Sequence, residues 1–134
     1  MIQRVQTLYL IFSILICVLT FIFFSEQFEN KDFSVLDYKY YFLKYSFILI
    51  AFLNFTSIFF YKKRVYQLYI NKFALFIHLV LILSVFSFYL SEDTYYINHY
   101  KILIACIISF ILILFSNRSI NKDKKLVDSI NRLR

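Results

Sequence analysis

Four long apolar runs, separated by short charged segments, restrict what this chain can become more than any other feature. The first, Leu8 to Phe24, has seventeen residues without a charge. Tyr45 to Tyr61 and Phe73 to Leu90 follow, and a fourth run ends at Phe115. The apolar residues fall in blocks rather than in a 3.6- or 2-residue alternation, which suits helices that face lipid. A chain of 134 residues has room for one domain. With 61% hydrophobic residues and a mean hydropathy of +0.69, a soluble domain of this size would bury too little surface to hide them. The sequence predicts an all-α membrane protein: a single membrane domain over 1–134 with spans at about 8–24, 45–61, 73–90 and 97–115.

The charged segments predict the orientation of those spans. Tyr61 to Lys72 holds four cations and no acid, so this connector belongs on the cytoplasmic side. The N-terminal residues, this connector and the tail after Phe115 together carry eleven Lys and Arg and two acids. The two opposite segments, Ser25–Lys44 and Ser91–Lys101, carry four Lys and Arg and six acids. An asymmetry of that size on short loops sets an N-in, C-in topology. The first run ends Phe21-Ile22-Phe23-Phe24-Ser25, without the small-residue pattern of a signal cleavage site, so it reads as a membrane helix. The chain has no Gly and no Pro. Close helix approach must therefore rely on Ala, Ser, Thr and Cys.

The tail, 116–134, is polar but patterned. Leu126, Val127, Ile130 and Leu133 share one face at helical spacing, and Arg118, Lys122, Lys125 and Arg132 gather on an adjoining one. This predicts a basic amphipathic cytoplasmic helix along or beneath the inner leaflet, drawn to anionic lipid by about 1 kcal/mol per cation near the surface.

Reactive chemistry has little footing in the sequence. Without Gly, none of the common phosphate-cradling loops can be built, and no nucleophile-elbow pattern occurs. No acid falls within an expected span, whereas a transporter ordinarily carries one. Asn54 and His78 do lie within spans, at similar depth from the basic end. A polar side chain in lipid must find a partner, and the expectation is that these two find each other as an interhelical hydrogen bond. Cys17 and Cys106, also within spans, read as small hydrophobes. No Cys or His is spaced as a chelating set. The expectation is no enzyme, no cofactor, no metal and no nucleic-acid partner.

The two ends carry a family resemblance. Met1 to Leu10, reading Met-Ile-Gln-Arg-Val-Gln-Thr-Leu-Tyr-Leu, resembles the opening of a family of small four-span membrane proteins typical of the Bacteroidota. That family is known only as a domain of unknown function. The tail, with Asn117-Arg118-Ser119-Ile120, Lys122-Asp123, Leu126-Val127, Ser129 and Arg132-Leu133-Arg134, resembles the family's close. The connector leading into Asn71-Lys72 agrees more loosely. Lys124 and Asn131 stand where the family often has acids. The resemblance implies a multi-pass protein of the bacterial inner membrane with cytoplasmic termini, and it implies no activity.

From these readings comes a functional expectation. Gln3, Arg4, Lys62, Lys63, Arg64, Arg118, Lys122, Lys125, Arg132 and Arg134 form one cytoplasmic docking surface. A non-catalytic accessory or scaffold subunit would use it to hold anionic lipid headgroups or a larger membrane complex. The alternatives are a small transporter or channel working as a homo-oligomer, and a membrane enzyme acting on a lipid or quinone.

Overall fold

A computed structural model describes the backbone of residues 2–28, 37–90 and 99–132, and side chains within 5–23, 41–87 and 100–129. The described residues form four helices and no strand: α1 (Ile2–Phe28), α2 (Asp37–Phe59), α3 (Arg64–Leu90) and α4 (His99–Arg132). Each is long and apolar enough to cross a membrane. At 1.5 Å per residue the 27-residue α1 and α3 run to about 40 Å, longer than the roughly 30 Å hydrocarbon layer. Helices suit such a chain because each satisfies its own backbone groups where no water can. The acidic, aromatic segments at 29–36 and 91–98 lie outside the described residues.

The helices follow one another around the bundle in chain order. α1 packs on α2 and α4, and α3 packs on α2 and α4. α1 and α4 are antiparallel: Tyr9 meets Phe115 with ring centroids 5.9 Å apart, and Lys101 Nζ lies 5.8 Å from the Phe23 ring centroid. The start of α1, the end of α4 and the α2–α3 connector thus share one end, here the terminal end. The connector is tight. One 3₁₀ turn (Phe60–Lys62) follows α2, and Lys63, at φ −106° and ψ 73°, donates its N–H to the Phe60 carbonyl at 2.9 Å. Gln67 N–H then reaches the Lys63 carbonyl at 3.1 Å and starts α3.

Every helix runs past its expected span at one end or both, and two of these extensions change what is buried. α3 begins at Arg64 rather than Phe73, so Gln67 and Asn71 belong to the bundle instead of a loop. α4 continues through Phe115 for 34 residues in all, so 116–132 is not a separate helix. Ile120 and Asp123 are buried in the bundle, while Leu126 and Val127 are exposed.

The interior follows a seven-residue repeat. Buried positions are Gln6, Leu10, Ser13, Cys17 and Thr20 on α1, and Leu43, Phe47, Ile50, Asn54 and Ser57 on α2. On α3 they are Gln67, Asn71, Ala74, His78, Leu81 and Val85; on α4, Ile102, Cys106, Ser109, Ile113, Ser116, Ile120 and Asp123. Every helix alternates steps of three and four, the spacing by which helices mesh as knobs into holes. Among the described residues only Ser46 is buried off this pattern, its hydroxyl bonded to the Phe42 carbonyl at 2.6 Å. The buried set divides into twelve apolar and twelve polar or charged residues, while the outward faces carry Leu19, Phe52, Phe59, Phe76 and Leu83. Lipid favours the apolar side chains outside, and the polar ones inside must meet partners on other helices. Packing and hydrogen bonds, rather than escape from water, hold the helices together.

Candidate functional site

At the middle of the interior, side chains from all four helices meet around Ser109. Its Oγ lies 2.7 Å from Ser13 Oγ, 2.9 Å from His78 Nε2 and 3.4 Å from Cys17 Sγ. On the other side, Asn54 Nδ2 donates to Ser13 Oγ at 2.9 Å. The remaining ring nitrogen, His78 Nδ1, is 3.0 Å from the Ala74 carbonyl. A carbonyl can only accept, so Nδ1 carries the proton, and the Nε2 of the neutral ring is then an acceptor. The bond directions follow. Asn54 donates to Ser13, Ser13 to Ser109, Ser109 to His78, and His78 to Ala74. The ring of Phe110 covers the imidazole from 6.4 Å.

Asn54 and His78 are therefore joined, but not to each other as expected. Two serines on the adjoining α1 and α4 stand between them: Asn54 of α2 bonds Ser13, and His78 of α3 bonds Ser109. Neither serine was singled out in the sequence. The signal that reveals them is recurrence at seven residues inside an apolar run: Gln6, Ser13 and Thr20 on α1, and Ser109, Ser116 and Asp123 on α4.

Towards the terminal end polar side chains alternate with the buried Leu10, Ala74, Ile113 and Ile120. Ser57 Oγ donates to Asn71 Oδ1 at 2.6 Å, and Gln6 Nε2 donates to the Asp123 carboxylate. Both members of that last pair are buried. No acid lies within the expected spans, but α4 runs on past the fourth of them and brings Asp123 into the interior. Five more buried groups on α2, α3 and α4, namely Asn54 Oδ1, Gln67 Oε1, Asn71 Nδ2, Ser116 Oγ and Asn117 Oδ1, have no hydrogen-bond partner among the described residues. Towards the far end the interior becomes apolar, with Cys17, Leu43, Phe47, Ile50, Leu81, Val85, Ile102 and Cys106 in one cluster. Both cysteines there are free thiols.

The basic residues lie outside this interior. Lys62, Lys63, Arg118, Lys122 and Lys125 are exposed and Arg64 is half-buried, all at the terminal end. Gln3, Arg4 and Arg132 sit on the terminal turns of α1 and α4, but their side chains, and the whole of Arg134, lie outside the described residues. Lys62 and Lys63 approach the rings of Tyr61 and Tyr66 at 5.9 and 5.7 Å. At the far end, Lys44 lies 5.1 Å from the Phe21 ring centroid. A groove of about 250 Å³ opens there between α1 and α4, lined by Leu19, Thr20, Phe23, Lys101, Ile102 and Ala105. Among the described residues no three His, Cys, Asp or Glu side chains gather as metal ligands.

A family described as "Domain of unknown function (DUF4293)" matches residues 2–133. No curated protein and no solved structure matches the chain.

Proposed function

The chain belongs to this family of unknown function, and on that premise we propose that it is a non-catalytic accessory or scaffold subunit of a bacterial inner membrane. Both termini lie in the cytoplasm, and the basic end of the bundle docks a larger membrane complex or anionic lipid. The observation that carries this reading is charge placement. Lys62, Lys63, Lys72, Arg118, Lys122 and Lys125 are all exposed at the terminal end, where the positive-inside rule puts cytoplasmic residues. Each cation held near an anionic surface contributes about 1 kcal/mol. The exposed Tyr61, Tyr66 and Tyr69 stand beside these cations and suit the headgroup layer. Arg4 and Arg132 belong to the first turn of α1 and the last turn of α4, at the same end of the bundle.

A second reading, a small oligomeric transporter or channel, has one observation in its favour: the buried Asp123 and the polar side chains leading inward from it. Against it stands the apolar cluster that fills the far half.

The test is a mild-detergent pull-down from native membranes with a tag after Arg134, followed by mass spectrometry. The scaffold reading expects a stoichiometric membrane complex that weakens when Arg4, Arg118 and Arg132 are changed to Glu. If the charge reversals altered neither the partners nor retention on anionic vesicles, that reading would be lost. A homo-oligomer with no partner would favour transport.

A further inference from the structure

The interior changes character halfway along the bundle, and the change coincides with unpaired polar groups. From the bonded pair His78 and Ser109, seven residues along α3 and α4 lead to Asn71 and Ser116. Both steps are two turns, about 10.5 Å, towards the terminal end. Both side chains are fully buried. Asn71 Nδ2 and Ser116 Oγ have no partner among the described residues, and nor do Gln67 Oε1, one turn further out, and Asn54 Oδ1 beside Ser13. Beyond the Ser109 hub the interior is lined by Leu43, Phe47, Ile50, Leu81 and Val85.

An unsatisfied amide or hydroxyl inside a membrane costs several kcal/mol. Donors and acceptors are mixed here: Asn71 offers N–H, Asn54 and Gln67 offer carbonyl oxygens, and Ser116 can do either. An anion would call for donors alone and a metal ion for acceptors alone. Water both donates and accepts, and buried water ordinarily makes about three hydrogen bonds to such groups. Serines at positions 57 and 116 alternate along this half with the larger Leu10, Ile113 and Ile120, and leave room only at their own levels.

We propose that the terminal half of the interior is a one-ended, hydrated column. Water enters past the Gln6–Asp123 pair, bonds Gln67, Asn71, Ser116 and Asn54, and stops at the apolar cluster. The Ser109–His78 hub is its blind end. The imidazole then exchanges protons with one side of the membrane only. This inference does not depend on the docking reading above.

Substituted-cysteine labelling in vesicles tests it. The full chain carries Cys17→Ala and Cys106→Ala, with a tag after Arg134 to report which side bears the termini. Ser116→Cys and Asn71→Cys are compared with Ile50→Cys and Leu81→Cys, using a small membrane-impermeant methanethiosulfonate. The expected result is labelling of positions 116 and 71 from the terminal side, none from the far side, and no labelling of 50 or 81. Positions 116 and 71 as inert as 81 would overturn the column. Labelling from both sides would overturn its one-ended character. Water-edited solid-state NMR on the unmodified protein gives a check free of folding artefacts. Side-chain amide signals of Asn71 and Asn54 should gain magnetisation from water well before the methyl groups of Val85. Equal build-up would refute the proposal.

Discussion

Ser109 has one proton to donate and two lone pairs to fill, and it meets three partners, His78, Ser13 and Cys17. Ser109→Ala leaves the His78 Nε2 unpaired and cuts the link between α1 and α3. The expected loss is about 1–2 kcal/mol, read as a lower denaturant midpoint in mixed micelles. Ser84→Ala is the matched control: its hydroxyl only returns to the Val80 carbonyl on its own helix at 2.8 Å, so a change within about 0.5 kcal/mol is expected. Asp123 makes a second test. Asp123→Ala strands the Gln6 amide and should cost about 1–3 kcal/mol, whereas Asp123→Asn keeps an acceptor of nearly the same shape and should cost less. Equal losses for Ala and Asn in the same unfolding titration would mean that the Gln6 contact contributes nothing.

On each helix the steps of three and four make registry matter. Inserting one alanine between Leu75 and Phe76 turns His78, Leu81 and Val85 about 100° away from the interior. The insertion should abolish cooperative thermal unfolding, while Phe76→Leu, on the exposed face, should leave the transition unchanged. The unbroken α4 is tested by truncation. Ending the chain after Ser129 keeps Ile120 and Asp123 in place and should preserve the melting temperature. Ending it after Ser119 removes both and should lower it, an outcome that a tail merely lying on the lipid would not give. The number of helices and their apolar character were legible in the sequence, because lipid demands long uncharged runs and Leu8 to Phe24 is one. Where α3 starts and where α4 ends were not. Gln67, Asn71 and Asp123 look like loop and tail residues when hydropathy is averaged over every face of a helix. Only two positions in seven face the interior, and there a polar residue is no sign of solvent. Asn54 and His78 stood out because each is the single strongly polar residue of its run. Ser13 and Ser109, which join them, are too mildly polar to stand out individually and become visible only as members of a seven-residue series.

Taken as one molecule, the protein is apolar outside and mixed within, with an apolar cluster at the far end and polar side chains gathered around Ser109 and beyond it. Aromatic and aliphatic side chains face outward, buried hydroxyls and amides meet inside, and most of the described cations collect at the terminal end, with Lys44 and Lys101 at the other. What makes these four helices a specific bundle, rather than four independent spans, is the hydrogen-bonded layer at Ser13, Asn54, His78 and Ser109. That layer predicts a distance that can be locked. With Ser13 Oγ and Ser109 Oγ 2.7 Å apart, the two side chains already point at each other, as a disulfide between cysteines at these positions needs. The decisive measurement is oxidative crosslinking of Ser13→Cys with Ser109→Cys, in a background carrying Cys17→Ala and Cys106→Ala, in native membranes with copper phenanthroline as oxidant. A rapid intramolecular crosslink is expected, together with little or none for Ser13→Cys paired with Ser116→Cys two turns away. If the first pair gave no crosslink, or only crosslinks between chains, α1 and α4 would not meet in this register and the polar-layered bundle would be wrong.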